Sequence, residues 1–178
     1  MSGYDQHLRA ARVVNEAGGH LVGRTRLQKV VYLAQLAGFG EEFSFEYKHY
    51  GPFSEDLATG MEIAAGLGLV QEEEKRAAWG GRYSTYVANE RTPSSENAAR
   101  SAFVRAAAGI SPIELELAAT AAFLHLNGWY DRKEGDDSWI ETERRKPDKA
   151  DNGRLERAKV AYKTLMTMQT PVALPLIV

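Results

Sequence analysis

The residues able to do chemistry are few in this chain, and their spacing is uninformative for catalysis. His7, His20, His49 and His125 are scattered, and none stands four residues from another to form the helical pair that grips a metal. Cysteine is absent, which removes thiolate ligands, Cys nucleophiles and disulfides together. Neither a G-x-S-x-G elbow nor a Walker A loop occurs. Gly66-Leu67-Gly68 begins like a dinucleotide fingerprint, but Gln71 takes the third glycine position and the segment before it reads as a helix. Glu72-Glu73-Glu74 and Asp136-Asp137 are adjacent carboxylates. Neighbours on a strand face opposite ways, so these read as solvated surface charge rather than an acid/base pair. The expectation is a protein with no catalytic residues, no metal and no cofactor, acting as something other than an enzyme.

What remains for recognition is cationic and aromatic. Arg24, Arg26, Lys29, Lys48 and Tyr50 form the candidate partner-binding set. The cations could make a local basic patch, joined by Lys75, Arg76 and Arg82; the competing reading is pairing with Glu41, Glu42 or Glu72. Tyr32 and Phe53 read as core, whereas Tyr50, beside a Gly-Pro pair, reads equally as core or as recognition surface.

The elements that must position these residues follow from periodicity. A helix is expected over 5–17, stopped by Gly18-Gly19, and a second after Arg24 with Thr25 as its N-cap. Arg26 and Lys29 are expected on the polar flank of that second helix. Phe43, Phe45 and Tyr47 alternate with polar residues, which argues for a short strand, and Gly51-Pro52 is expected to break the chain. Ser54 then caps a third helix, with Glu55 and Asp56 favouring its positive end. Gly60 inside that helix costs about 1 kcal/mol relative to Ala, so close approach of a neighbouring backbone is expected there. Two strands, 69–73 and 83–87, are joined through Trp79-Gly80-Gly81.

That order is the one expected of a winged helix-turn-helix unit. Thr92-Pro93-Ser94-Ser95 marks a boundary, and the remainder reads as helical. A helix runs from Ser94 to about Ala107, and Ser111-Pro112-Ile113-Glu114 opens a helix apolar on nearly every side. A charged segment with Trp129, Tyr130 and Trp139 follows, then a helix over 152–168 and an apolar, proline-containing tail expected to dock in extended form. The fold class is mainly α with a small β hairpin (α+β), divided as a winged-helix-like unit, 1–92, packed on a helical unit, 93–178.

Charge separates the partner classes. The chain of 178 residues carries a net charge of −2, with 10 Lys/Arg against 12 Asp/Glu in 1–92 and 12 against 12 in 93–178. Neither half is basic enough to hold nucleic acid by bulk electrostatics. The third helix contains no Lys or Arg, while Glu55, Asp56 and Glu62 are acidic. Placed in a major groove it would repel phosphate. The apolar run 113–126 is shorter than the ~20 residues that a bilayer requires, and the first 25 residues lack a signal-peptide pattern. A cytoplasmic protein with no membrane partner is expected.

GRTRLQKVVYLAQ, YGPFSEDL and GLGLV, taken together, resemble the Panacea domain, the antitoxin domain of SocA-like proteins, and more closely its YwgA-type branch. The resemblance rests on Leu27, Gln28, Lys29, Tyr32, Leu33, Tyr50, Gly51, Pro52, Phe53, Ser54, Leu57 and Leu69. It covers 23–70 well and the C-terminal half weakly, through LELAAT at 115–120 and Lys146-Pro147. It implies a mostly helical module that neutralises a toxin-like or regulatory protein by direct contact. The alternative is a DNA-binding regulator that uses the second helix and the wing, as a homodimer.

Overall fold

In the computed structural model, which describes residues 5–177, amphipathic spacing sets most of the elements. Helix α1 (Gln6–Glu16) buries Ala10, Ala11, Val13 and Val14, and α2 (Arg24–Leu36) buries every residue from Leu27 to Ala34. Helix α3 (Glu55–Gly66) starts on Ser54, whose hydroxyl accepts from the Leu57 amide at 3.2 Å. Strands β1 (His20–Val22), β4 (Val70–Arg76) and β5 (Arg82–Ala88) make an antiparallel sheet in the order β1-β5-β4. A separate small hairpin pairs β2 (Glu46–Lys48) with β3 (Gly51–Phe53). The rest is helical: α4 (Ala98–Ala108), α5 (Pro112–Asn127), α6 (Ser138–Arg145), α7 (Pro147–Ala150) and α8 (Arg154–Met166). The protein is therefore mostly helical with a small antiparallel sheet, an α+β arrangement.

Helix α5 lies at the centre. Every residue from Leu115 to Leu124 is buried, and α2, α6, α8 and β3 pack around it. One core cluster takes in Leu33 and Leu57 together with Leu115 and Leu165. Helix α1 lies against α3, and a Cβ added at Gly60 would come within 3.1 Å of the Gln6 carbonyl oxygen. The glycine trades helix propensity for that close approach, as its position inside the helix suggested. An ion network ties α1 to α4: Arg100 Nε donates to both Glu16 oxygens at 2.9 and 3.0 Å, and Arg12 and Arg9 reach Glu42. The tail docks extended, with Tyr162 donating to the Pro175 carbonyl at 2.8 Å and Leu174 and Ile177 buried.

Several local expectations are corrected. The Phe43–Tyr47 alternation is not a strand over its length; pairing begins at Glu46. The Gln35 side chain binds both backbone groups of Phe43, at 2.8 and 3.0 Å, and so takes the place of a strand partner. Phe43 is buried, and Phe45 packs edge-on against Tyr32 at 5.2 Å. Gly51-Pro52 does not break the chain but lies within β3, and the turn falls at His49-Tyr50. Each strand of this ribbon is an edge strand, the setting in which Pro is tolerated in a sheet. Helix α2 begins at Arg24 with Gly23 in the cap position instead of Thr25. Helix α4 is capped by Asn97, three residues beyond the expected Ser94. Ser111 precedes α5 without its hydroxyl making a cap bond. The charged stretch after Trp129 holds two short helices, α6 and α7; Asp137 caps the first by accepting from the Trp139 and Ile140 amides at 2.7 and 2.9 Å.

Candidate functional site

The two halves of the signature are bonded to each other. Gln28 on α2 presents its amide to Ser54, accepting from Ser54 N at 2.8 Å and donating to Ser54 O at 3.0 Å. The next residue, Lys29, donates from Nζ to the Pro52 carbonyl at 2.7 Å. Both side chains are buried, Lys29 to 1% exposure. Its expected place on the polar flank is thereby corrected: four methylenes carry the ammonium inward to a carbonyl that has no other partner in the hairpin. Burial lowers the Lys29 pKa to about 7; Glu116 draws it up, and Lys146 and Lys149 push it further down.

Strand β3 rests directly on α5. Gly51 has φ +85°, and a Cβ there would collide with the Thr120 hydroxyl, so no larger residue lets the hairpin seat this closely. A second set of charges holds the tip. Glu116, buried on α5, accepts from Lys146 at 2.8 Å and from Lys149 at 2.7 and 2.8 Å. Lys146 also donates to the His49 carbonyl at 2.9 Å. The hairpin is thus pinned from α2 on one side and from the α6–α7 junction on the other.

This frame presents a mixed aromatic and cationic face. Tyr50 at the turn is 51% exposed, edge-on to His49 at 4.7 Å, with the Lys149 ammonium 4.5 Å from its ring centre. Tyr47 lies beneath the Arg145 guanidinium at 5.2 Å and meets Phe123 and Trp129 at 5.8 and 6.0 Å. Trp129 is 46% exposed. A groove of about 580 Å³ runs between the hairpin and the α6–α7 junction. Its cations are already matched, Lys48 by Glu46 and Glu55, Arg145 by Glu141 and Lys149 by Glu116. What the face offers is amphipathic rings and long side chains in fixed positions.

The candidate residues separate onto two faces and the interior. Lys48 and Tyr50 line or edge the hairpin face. Arg24 and Arg26 lie at the start of α2, in a different cleft shared with Arg82 of the wing. Arg24 pairs with Glu72 at 2.8 Å, the competing reading given for it above. Arg26 donates to the Val22 carbonyl at 2.8 Å and the Ile110 carbonyl at 3.4 Å. Lys75 pairs with Glu73 and Arg82 with Glu74. A continuous patch of Arg24, Arg26, Lys29 and Lys48 does not exist, because Lys29 is interior. Sequence reasoning did not select Trp129, Arg145, Lys149 or Glu116. A signal for the last was present: LELAAT supplies Glu116 and Thr120, and Lys146 is the Lys-Pro lysine; Thr120 lies against Gly51, Lys146 binds the His49 carbonyl, and Glu116 holds Lys146.

Helix α3 turns Glu55, Asp56, Glu62, Ile63 and Leu67 outward. Among the described residues, no group of His, Cys, Asp or Glu could hold a metal ion. No helix among them is long and apolar enough to cross a membrane; α4 and α5 pass such a test only as a pair, bent by 117°.

Compared with known proteins, the chain is 32% identical over 81 residues to the uncharacterized protein YwgA of Bacillus subtilis (strain 168), a match covering 44% of this chain and 48% of that one. The chain thus spans about half the length of the curated relative it matches. No protein-family model matches the chain. No solved structure matches it either.

Proposed function

We propose that this chain is a non-enzymatic protein-binding module that engages its partner through the hairpin face. The observation that carries the reading is the position of Tyr50, Tyr47, Trp129, Arg145 and Lys149 on one surface. Tyr, Trp and Arg are the residues that dominate binding energy at protein interfaces, and they do so best when held rigid. The buried bonds from Gln28, Lys29 and Lys146 supply that rigidity. The resemblance of the signature to Panacea-type domains extends the proposal to a toxin-like or regulatory partner, bound in the cytoplasm by direct contact.

The order α1-β1-α2-β2-β3-α3-β4-β5, with β1-β5-β4 in one sheet and the β2–β3 hairpin set between α2 and α3, supports reading the N-terminal part as a winged-helix-like unit with an inserted hairpin. In such a unit α3 would face DNA, and here it offers carboxylates beside Ile63 and Leu67. That composition favours a protein surface. A second reading, a DNA-binding regulator using α2 and the wing, has one observation in its favour: Arg24, Arg26 and Arg82 line a common cleft. An electrophoretic shift on the upstream region at low salt tests it, and absence of any shift removes it.

The protein-binding reading is tested by copurification from the native host with quantitative mass spectrometry. A partner retained by the wild-type chain and lost with Tyr50→Ala/Trp129→Ala supports it. No protein retained above background contradicts it.

A further inference from the structure

The cleft between α2 and the wing has features that the partner face does not use. Its volume is about 670 Å³, comparable to a small-ligand site. Arg26 is unusual within it. The structure gives this guanidinium two backbone carbonyls and no carboxylate, and its Nε is buried without a hydrogen-bond partner. Burial accordingly lowers its pKa. Each terminal nitrogen keeps an N–H beyond its one carbonyl bond, and a half-buried cation with those donors and no counter-charge is matched by an anion from outside the chain. Arg24 and Arg82 flank it, their guanidinium groups largely exposed and paired with Glu72 and Glu74. Such pairs contribute little and exchange readily for a stronger anion.

Trp79 gives the second, independent observation. It sits in the β4–β5 loop at the cleft and is 81% exposed, more than any other large apolar residue described. Its indole lies across Gly81, so closely that a Cβ there would overlap the ring, and the loop is closed by Ala77 N to Gly81 O at 2.8 Å. An open aromatic ring lining the same cleft as an arginine with no carboxylate partner fits a ligand with a planar ring at one end and an anionic group at the other.

We infer that the α2–wing cleft binds a nucleotide-type ligand, with its phosphate on Arg26, aided by Arg24 and Arg82, and its base against Trp79. The same chemistry is presented by a free mononucleotide and by the 5′ end of a single strand. The first turn of α2 strengthens the phosphate end, because Gly23 in the cap position offers no side chain to its free amides.

Titration calorimetry on the full chain tests this with adenosine monophosphate, a short 5′-phosphorylated oligothymidylate and inorganic phosphate. Saturable binding of the mononucleotide is expected, weakened at least about 10-fold by Trp79→Ala and by Arg26→Gln, with inorganic phosphate competing but binding more weakly. Should Arg26→Gln fail to fold, Arg82→Ala replaces it, with a several-fold loss expected. Tighter binding of the oligonucleotide assigns the site to a strand end; equal or weaker binding assigns it to free nucleotide. The inference is overturned by no saturable heat from either nucleotide ligand, by equal affinity in Trp79→Ala, or by phosphate alone binding as tightly as the nucleotide. None of these variants touches the hairpin face, so partner capture is expected to survive them.

Discussion

The ammonium of Lys29 donates a 2.7 Å hydrogen bond to the carbonyl of Pro52, joining the two halves of the signature inside the core. The bond links the Leu-Gln-Lys helix directly to the Tyr-Gly-Pro segment. They are two sides of one joint, with Gln28 and Ser54 forming the neighbouring contact.

A pH dependence follows from that joint. Burial lowers the Lys29 pKa from its ordinary 10.5 to about 7. Between those values the unfolded chain keeps a proton that the folded chain has released, so stability rises with pH across the window. Below pH 7 both states are protonated and the burial penalty is fully present. Urea unfolding at pH 6, 8 and 10 should show the wild type gaining stability relative to Lys29→Met as pH rises. Parallel pH profiles for the two proteins would contradict this.

Gln28→Leu removes the partner of the buried Ser54 amide while keeping the side chain's approximate size, and the Ser54 carbonyl keeps its bond from the Ala58 amide at 3.2 Å. One unsatisfied buried N–H is expected to cost about 1–3 kcal/mol, read as a lower urea midpoint at an unchanged slope. A loss below about 0.5 kcal/mol, the range of ordinary surface changes, would show that water replaces the amide and that the joint is weaker than its geometry implies.

Glu116→Gln leaves Lys146 and Lys149 without their carboxylate. Breaking a buried pair on one side is expected to destabilise by about 3–5 kcal/mol. The effect should be local as well, because Lys146 also holds the His49 carbonyl. Hydrogen exchange should speed up at the β2–β3 amides more than in α8. Uniform acceleration throughout the chain would argue against a pinning role.

Tyr50→Ala should change stability by no more than about 0.5 kcal/mol, since the ring is half exposed and its contacts, His49 and Lys149, are at the surface. Thermal unfolding checks this. A larger loss would make Tyr50 a framework residue and remove it from the binding face.

The parts of the fold carried by local chemistry were legible in the sequence. Ser54 as a cap, Gly60 as a close approach, the Trp79–Gly81 loop and the docked tail each declare themselves through a few neighbouring residues. What stayed hidden depends on partners distant in the chain. Lys29 looks like a surface lysine until Pro52, 23 residues on, is known to supply its acceptor. Phe43 to Tyr47 alternates as a strand does, but Gln35 claims the backbone first. Helices α6 and α7 are short and mostly charged, so only Ser138, Trp139, Thr142 and Ala150 mark their buried side. The binding face was half legible. Tyr50 carries a motif signal and Lys48 stands out as one of few cations near it, while Trp129, Arg145 and Lys149 are assembled only when the C-terminal helices fold against the hairpin.

The most direct test of the hairpin face is the affinity of the purified partner for three forms of the chain. Wild type, Trp129→Ala and Arg145→Glu should be compared by calorimetry after circular dichroism has shown that all three are folded. Hot-spot residues contribute about 2 kcal/mol or more, so each variant is expected to bind at least about 30-fold more weakly. Affinities within about twofold of wild type for both variants would contradict the assignment and place the interface elsewhere on the molecule.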